Sequence, residues 1–347
     1  MEIPNRPRFL IARMSAIGDT ILTTAVLCAL RDRFPNAFIA WVVEQKSAPV
    51  LEGHPCLDEL IVVERGWFKS PKKFLALRRR LRALKFDISI DPQSLTKSSL
   101  PAWLSGARYR IGNDGKHGGE LSRLLNNVLY DSTHPHLVDR SMDLLKRLGI
   151  ESPQVRFDLG VVSSAEENTV RFLDALNLRP GFAVINPGAG WDSKLWPWER
   201  FAQVAAYLLR QHQLRSLVVW AGDREHAWAD KIAEASEHAA VVSSKTTLQE
   251  LISVMRRARM YIGSDTGPMH AAAAVGTRCI SLHGPTRPCD SGPYGTNHIS
   301  LHKEYHAGSR RERRSADNHA MRQIQVEDVC NACEQVLAAQ LEPVSSY

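Results

Sequence analysis

Short apolar runs alternate with segments whose apolar residues recur every three or four positions, along nearly the whole chain. RFLIAR reads as a strand. It leads through SAIGD into TILTTAVLCALRDRF, whose spacing predicts a helix ending before Pro35. FIAWVVE, DELIVVE, FDISIDPQ and the shorter ARYRIG read as further strands, with a basic helical stretch between DELIVVE and FDISIDPQ. Strand, helix, strand at this rhythm predicts βαβ units and a parallel sheet.

The pattern changes between about 135 and 164, where HLVDRSMDLLKRLGI reads as helical and ESPQVRFDLGVVSS as an extended linker. A second series follows. GFAVINPGAG, SLVVWAGD, AAVVSS, MYIGSDTG and RCISLHGP carry strands, and WERFAQVAAYLLRQHQ, REHAWADKIAEASE, TLQELISVMRRA and GPMHAAAAVG carry helices. The two halves read as duplicated α/β layers rather than a short repeat array. The expected divisions are 1–160, 161–322, and a C-terminal helix and tail, 323–347, packing back toward the first domain. KEYHAGSRRERRSADNHAMR, before that helix, reads as a mobile polar loop.

Composition narrows the class. A chain of 347 residues is too long for one comfortable core, and 44% hydrophobic with 23% charged residues excludes a disordered chain. No apolar run approaches the roughly 18–20 residues of a membrane span. The N-terminus lacks a secretory signal pattern, so a cytoplasmic location is expected. Cysteines at 28, 56, 279, 289, 330 and 333 are too scattered for a disulfide framework. Cys330 and Cys333 form a C-x-x-C inside an amphipathic helix, with no second pair to complete a zinc site, and read as helix residues. The net charge is +7, and Arg65 to Lys85 carries nine Lys/Arg and no acid. That run suits a solvated helix face, an anionic acceptor, an anionic membrane or nucleic acid, and charge alone does not separate these.

Open α/β sheets bind ligands at the carboxyl ends of their strands, and three motifs stand there. In Ser15-Ala16-Ile17-Gly18-Asp19, Gly18 permits a tight turn and Asp19 falls at or near a helix start, where a carboxylate is favoured. Asp19 reads either as a cap or as a general base. In the stretch from Asn186 to Pro197, a glycine-rich turn exposes backbone N–H groups and Lys194 offers a cation to a diphosphate; a plain surface turn is the alternative. It is not a P-loop, and no dinucleotide fingerprint follows this strand or the first one. From Gly263 to His270, Pro268 opens a helix whose free N–H groups near Thr266 and Gly267 suit a phosphate. Asp265 would repel that phosphate, so it reads as a loop brace or a sugar-hydroxyl contact. His270 reads equally as structural or as a ligand contact.

In order and spacing, SAIGDTILTTAVLCALRDRFP, WVVEQ, DPQSLTKSSL, NPGAGWDSKLWPWERFAQVA, GSDTGPMHAAAAVGT and SLHGPTRP resemble glycosyltransferase family nine, the ADP-heptose:lipopolysaccharide heptosyltransferases. WVVE and the D-x-Q-x-x-x-K-S segment are most similar to its heptosyltransferase I branch, which adds the first heptose to the Kdo region of the inner core. The resemblance implies the α/β GT-B fold: two Rossmann-like doubly wound domains facing a central cleft, with donor in the C-terminal one and acceptor in the N-terminal one. It implies inverting transfer from ADP-heptose to a Kdo-containing lipid A or core acceptor. No cofactor is implied as a requirement and no residue as a metal ligand, with a divalent cation at most enhancing activity.

By position, the resemblance makes Asp19 the general base and Lys194, with the Thr266–Gly267 backbone, the group that stabilises the departing diphosphate. Asp265 and His270 match donor-site positions, Glu225 the residue at the adenosine ribose, and Thr246 a donor-pocket position acting through its backbone. Ala189 and Gly190 stand where the family tends to carry hydroxyl residues, so donor contacts there are expected from backbone alone. Lys97 and Gln93 match the acceptor side, and Arg78 and Arg79 of the basic run join them, since Kdo carboxylates, core phosphates and the inner face of the inner membrane are anionic. Peripheral membrane contact is thus expected, and nucleic acid is not. HAGSRRERR is longer and more basic than the family pattern. The competing readings are another nucleotide sugar or acceptor, a non-catalytic nucleotide-sugar binder, and an NAD-dependent Rossmann enzyme. The missing fingerprint argues against the last.

Overall fold

A computed structural model describes residues 1–119, 121–178 and 181–341, the last two as backbone. Strands β1 Arg8–Ala12, β2 Phe38–Glu44, β3 Glu59–Val63, β4 Ile88–Asp91, β5 Tyr109–Asn113 and β6 Val128–Tyr130 form one sheet, ordered β3-β2-β1-β4-β5-β6. Strands β7 Ala183–Asn186, β8 Ser216–Val218, β9 Ala240–Val242, β10 Met260–Ser264, β11 Arg278–His283 and β12 Ile299–His302 form a second, ordered β12-β11-β10-β7-β8-β9. All neighbouring pairs are parallel. When each sheet's strands are numbered from one, both orders are 3-2-1-4-5-6, the doubly wound Rossmann arrangement. The chain divides into Met1–Val161 and the residues from Val162 onward, one sheet in each.

The order reverses between β1 and β4 in the first sheet and between β7 and β10 in the second. Helices following the two strands at a reversal leave to opposite faces. Their loops part and open a crevice at the strands' carboxyl ends.

Strand β1 is buried almost throughout, as a strand covered on both faces requires. Helix Ile17–Arg33, which follows it, is buried from Thr20 to Leu30 although it carries three threonines. Their hydroxyls donate to carbonyls of the preceding turn: Thr20 to Ala16 at 2.9 Å, Thr23 to Asp19 at 2.8 Å and Thr24 to Ile21 at 2.7 Å. No buried hydroxyl is left unpaired there, so the helix can sit inside.

The described part of segment 323–347, residues 323–341, packs within the second unit. Helix Val326–Leu341 places Val329, Cys330, Cys333 and Val336 in one core with Phe201, Leu208 and Ile280 of the second unit. Trp196 Nε1 and Arg200 Nη1 donate to Ile324 O at 2.9 and 2.5 Å, fixing the entry to that helix. An apolar stripe on the helix packs on β11 and β12 of the second sheet, beside helix Trp198–His212. The tail 342–347 lies outside the described residues. The polar stretch 303–322, expected as a mobile loop, contains helices Arg310–Ser315 and His319–Arg322. It is tethered by Arg313 Nη1 to Pro285 O at 3.2 Å and by Asn318 Nδ2 to Leu195 O at 2.9 Å.

Candidate functional site

At the first reversal, β1 ends in Arg13, Met14 and Ser15. Arg13 is buried and its Nη2 lies 2.5 Å from Asp19 Oδ2. Asp19 is the third residue of its helix, not the cap, and accepts the Ala16 N–H at 3.4 Å through the same oxygen. Its Oδ1 has no partner among the described residues, and its side chain is 42% exposed. Lys97, at the start of helix Thr96–Ser105, donates to Ser15 Oγ at 2.5 Å and lies 3.6 Å from Glu44 Oε1 at the end of β2. One cluster at the strand ends thus holds a partly exposed carboxylate, a clamped arginine and a half-exposed ammonium. Gln93 belongs to its frame: its Oε1 accepts Met14 N–H at 2.9 Å across the β1/β4 reversal.

The sequence reading missed Arg13 and Glu44. Arg13, lying just beyond an apolar strand and before the SAIGD turn, was the signal available for the first.

Arg78 and Arg79 are not brought to this cluster. They lie on helix Pro71–Ala83, which connects β3 to β4 and so runs back along the sheet. Lys73 pairs with Glu64, just past the carboxyl end of β3, whereas Arg80 pairs at 3.1 Å with Glu59, the first residue of β3. Seven residues of helix, about 10 Å, separate Lys72 from Arg79. Lys69, Lys72 and Lys73 therefore stand toward the ligand end of the sheet, and Arg78 and Arg79 toward the other end.

At the second reversal the loops after β7 and β10 meet. Lys194 Nζ donates to Asp265 Oδ2 at 2.8 Å and to Asp265 O at 2.9 Å, and stands 4.7 Å above the Trp191 ring. Ser264 Oγ donates to Lys194 O at 2.6 Å, locking the two loops together. Asp265 also accepts from Ser291 Oγ at 3.0 Å and lies 3.5 Å from His270 Nε2. Burial opposes its ionisation, but the His270 hydrogen bond and the Lys194 charge overcome it and hold the carboxyl well below the usual range. Asp265 thus braces the site by orienting Lys194. His270 is buried, with Nδ1 lacking a partner among the described residues. Burial pushes nearby His283 down to about 4, so it is neutral.

Helix Gly267–Ala274 begins here with Thr266 as its cap residue, and no side chain caps it. Thr266 Oγ1 instead accepts from Asn186 Nδ2 at 3.3 Å and donates to Ser264 O at 3.2 Å. The first N–H groups of the helix are left for an anion, beside a lysine.

A cavity of about 250 Å³ lies nearby, lined by Ala189, Leu195, Gly222, Arg224, Glu225 and Trp228. Glu225 accepts the Ala221 N–H at 2.8 Å, and burial pushes its carboxyl up against that bond. A Cβ on Gly188 would fall 2.2 Å from the Glu225 carboxyl carbon, so any side chain there would displace that carboxyl from its present position. Nothing lies within 4 Å of the corresponding point on Gly190, which is exposed. Thr246 is half-buried in the loop after the edge strand β9, two strands from the reversal. Asp223 lines the cavity too, so the second unit offers a concave pocket with two acids, Glu225 partly buried and Asp223 exposed, next to a cation and open helix N–H groups, a set suited to a nucleoside joined to a diphosphate.

The sequence model of glycosyltransferase family 9 (heptosyltransferase) matches residues 74–320. The chain is 28% identical over 310 residues to lipopolysaccharide heptosyltransferase 1 of Salmonella typhimurium, covering 84% of this chain and 93% of that protein. It is 28% identical over 329 residues to lipopolysaccharide heptosyltransferase 3 of Escherichia coli, covering 92% and 95%. A heptosyltransferase of E. coli solved with ADP superposes with a TM-score of 0.75 at 27% identity, covering 95% of this chain and 99% of that one.

Proposed function

Because the chain belongs to glycosyltransferase family 9, and so is a transferase of the GT-B fold, we propose that it moves a heptose from ADP-heptose, with inversion, to the Kdo region of the lipopolysaccharide inner core. The observation that carries the donor half is Lys194, held by Asp265 beside the uncapped helix start at Thr266. Adenosine fits the cavity at Ala189 and Glu225, with the carboxylate toward the ribose hydroxyls and backbone contacts from Gly190 and Thr246. The diphosphate then lies on Lys194 and the Thr266–Gly267 N–H groups. These neutralise the leaving group without a bridging metal, and a divalent cation serves at most as an enhancer.

In this reading Asp19 is the base. Arg13 fixes one carboxylate oxygen, leaving Oδ1 to take the proton from the acceptor hydroxyl as that oxygen attacks the anomeric carbon. The C1–O bond to the diphosphate breaks as the new one forms, on the opposite face of the sugar. Lys97 and the Lys69–Lys73 end of the basic helix take the acceptor's carboxylates and phosphates. Phe68 and Leu75, 45% and 57% exposed among these lysines, suit peripheral contact with an anionic membrane surface. Among the described residues, no helix is long and apolar enough to cross a membrane.

The test is a turnover and thermal-shift panel of ADP-, GDP-, UDP- and CDP-sugars with Kdo-lipid A or already heptosylated core as acceptor. ADP-heptose with Kdo-lipid A is the expected active pair. Preference for another donor or for the heptosylated core replaces that half of the reading, and a response to NAD instead overturns it. Asp19→Asn should cut turnover by roughly 10²–10⁴-fold with donor affinity kept. Near-normal turnover removes Asp19 from the role.

A further inference from the structure

Away from both strand-end clusters, the first unit gathers two thiols and a carboxylate. Cys28 lies on helix Ile17–Arg33, Cys56 in the loop before β3, and Asp158 in the irregular segment that closes the unit. One ligand atom from each lies within 4.8 Å of the other two. Both cysteines are buried, whereas Asp158 reaches the surface. We propose that Cys28, Cys56 and Asp158 bind one zinc ion, with water in the fourth position.

The donor set selects the metal. Two thiolates with one carboxylate favour zinc over calcium or magnesium, which take oxygen ligands. Zn–S of about 2.3 Å and Zn–O of about 2.0–2.2 Å put the edges of the tetrahedron at roughly 3.4–3.8 Å. Closure therefore asks for about 1 Å of side-chain movement. The exchange balances: a zinc ion and two thiols give a dithiolate complex and two protons, and the carboxylate binds already ionised. Burial pushes the Cys28 thiol up, so without a cation it keeps its proton.

The surroundings complete the site. Two thiolates and a carboxylate leave one negative charge in excess on a divalent ion, and Arg156 supplies the balancing positive charge. Its guanidinium holds Asp32 through Nη2 at 2.5 Å and Nε at 3.2 Å while Nη1 pairs with Asp158. Arg156 thus stays anchored on Asp32 when Asp158 turns to the metal. His54 is excluded as a ligand although its Nε2 is 4.0 Å from Cys28 Sγ. Its Nδ1 accepts the Cys56 N–H at 3.2 Å, so Nε2 carries the proton and donates to Phe157 O at 2.9 Å. This neutral histidine ties the backbone of Cys56 to that of Phe157, next to Asp158, and so holds two ligands in register. The ion would clamp the helix that carries Asp19 to the loop before β3 and to the closing segment. It takes no part in sugar transfer.

The test titrates reduced, metal-free full-length protein with Co²⁺, then with Zn²⁺. One equivalent of Co²⁺ should give a sulfur-to-cobalt charge-transfer band with four-coordinate visible bands. One equivalent of Zn²⁺ should abolish them and raise the unfolding midpoint. Cys28→Ser and Cys56→Ser should lose the charge-transfer band, and Cys333→Ser, in the other unit, should keep it. Asp158→Asn, at the surface, should weaken zinc by about tenfold or more while the chain stays folded. It carries the test if the buried variants do not fold. ADP affinity should be the same with and without zinc. A wild-type protein that gives no charge-transfer band, a band that persists in Cys28→Ser, or unchanged zinc affinity in Asp158→Asn overturns the site.

Discussion

Replacing Asp265 by Asn keeps the shape of the side chain and removes the anion from Lys194. Both partners are buried, with side chains 12% exposed for Lys194 and 5% for Asp265. Breaking a buried pair from one side leaves an uncompensated charge and costs about 3–5 kcal/mol. In a unit of roughly 150–250 residues each kcal/mol moves the unfolding midpoint by roughly 2–4 °C, so Asp265→Asn should lower it by roughly 6–20 °C. Adding Lys194→Met removes the stranded ammonium, and the double variant should recover most of that loss. Calorimetry of the wild type, both single variants and the double variant at pH 7 measures this, with and without ADP. The diphosphate gives Lys194 a new anion, so ADP should raise the midpoint of Asp265→Asn more than that of the wild type. A double variant as unstable as Asp265→Asn refutes the pairing argument. An ADP shift no larger than in the wild type removes Lys194 from the diphosphate.

Three further outcomes follow from the geometry. Gly188→Ala drives a Cβ into the Glu225 carboxyl and breaks its bond to Ala221, worth about 1.5–3 kcal/mol; calorimetry should show a lowered midpoint and a weaker ADP response, while Gly190→Ala, placed in open space, melts like the wild type. Equal behaviour of the two refutes the packing of Gly188 on Glu225. Burial pushes both His54 and His283 down to about 4, against about 6.5 in the unfolded chain. The folded state therefore binds fewer protons between those values, and stability should fall by about 2 kcal/mol for each histidine from pH 7 to pH 5. The contribution of Asp265, whose folded value is depressed, persists until the pH drops below about 4. Urea unfolding at pH 7, 6 and 5 measures the histidine effect, and a flat profile refutes the buried neutral assignment. Charge reversal at Lys69 and Lys72 should raise the KM for an anionic acceptor more than reversal at Arg78 and Arg79, and the opposite ranking refutes the helix direction inferred from the Lys73 and Arg80 pairs.

Much of the fold could be read from the residues, because β1, β2, β7 and β10 are apolar along their length and the helices between them repeat at helical spacing. The short edge strands Val128–Tyr130 and Ile299–His302 could not. An edge strand is covered on one side only, and three or four half-buried residues carry no period. The basic run showed its charge but not its direction. Which end of helix Pro71–Ala83 faces a ligand depends on β3 and β4, not on the helix itself.

The sequence by itself determined the local pieces: the turn before Asp19, the glycine turn with Lys194, and the helix start at Thr266. Each is set by neighbouring residues through backbone sterics. Tertiary structure alone decided what each charge meets. Arg13 reaches Asp19, Gln93 braces Met14 across 79 positions, and Lys194 finds Asp265 across 71. The Cys28, Cys56 and Asp158 cluster likewise has no spacing that a motif would show. The Gln93–Met14 and Lys194–Asp265 pairings exist because the strand order reverses at β1/β4 and β7/β10. Strand order is fixed by long-range packing, which no local window of sequence contains.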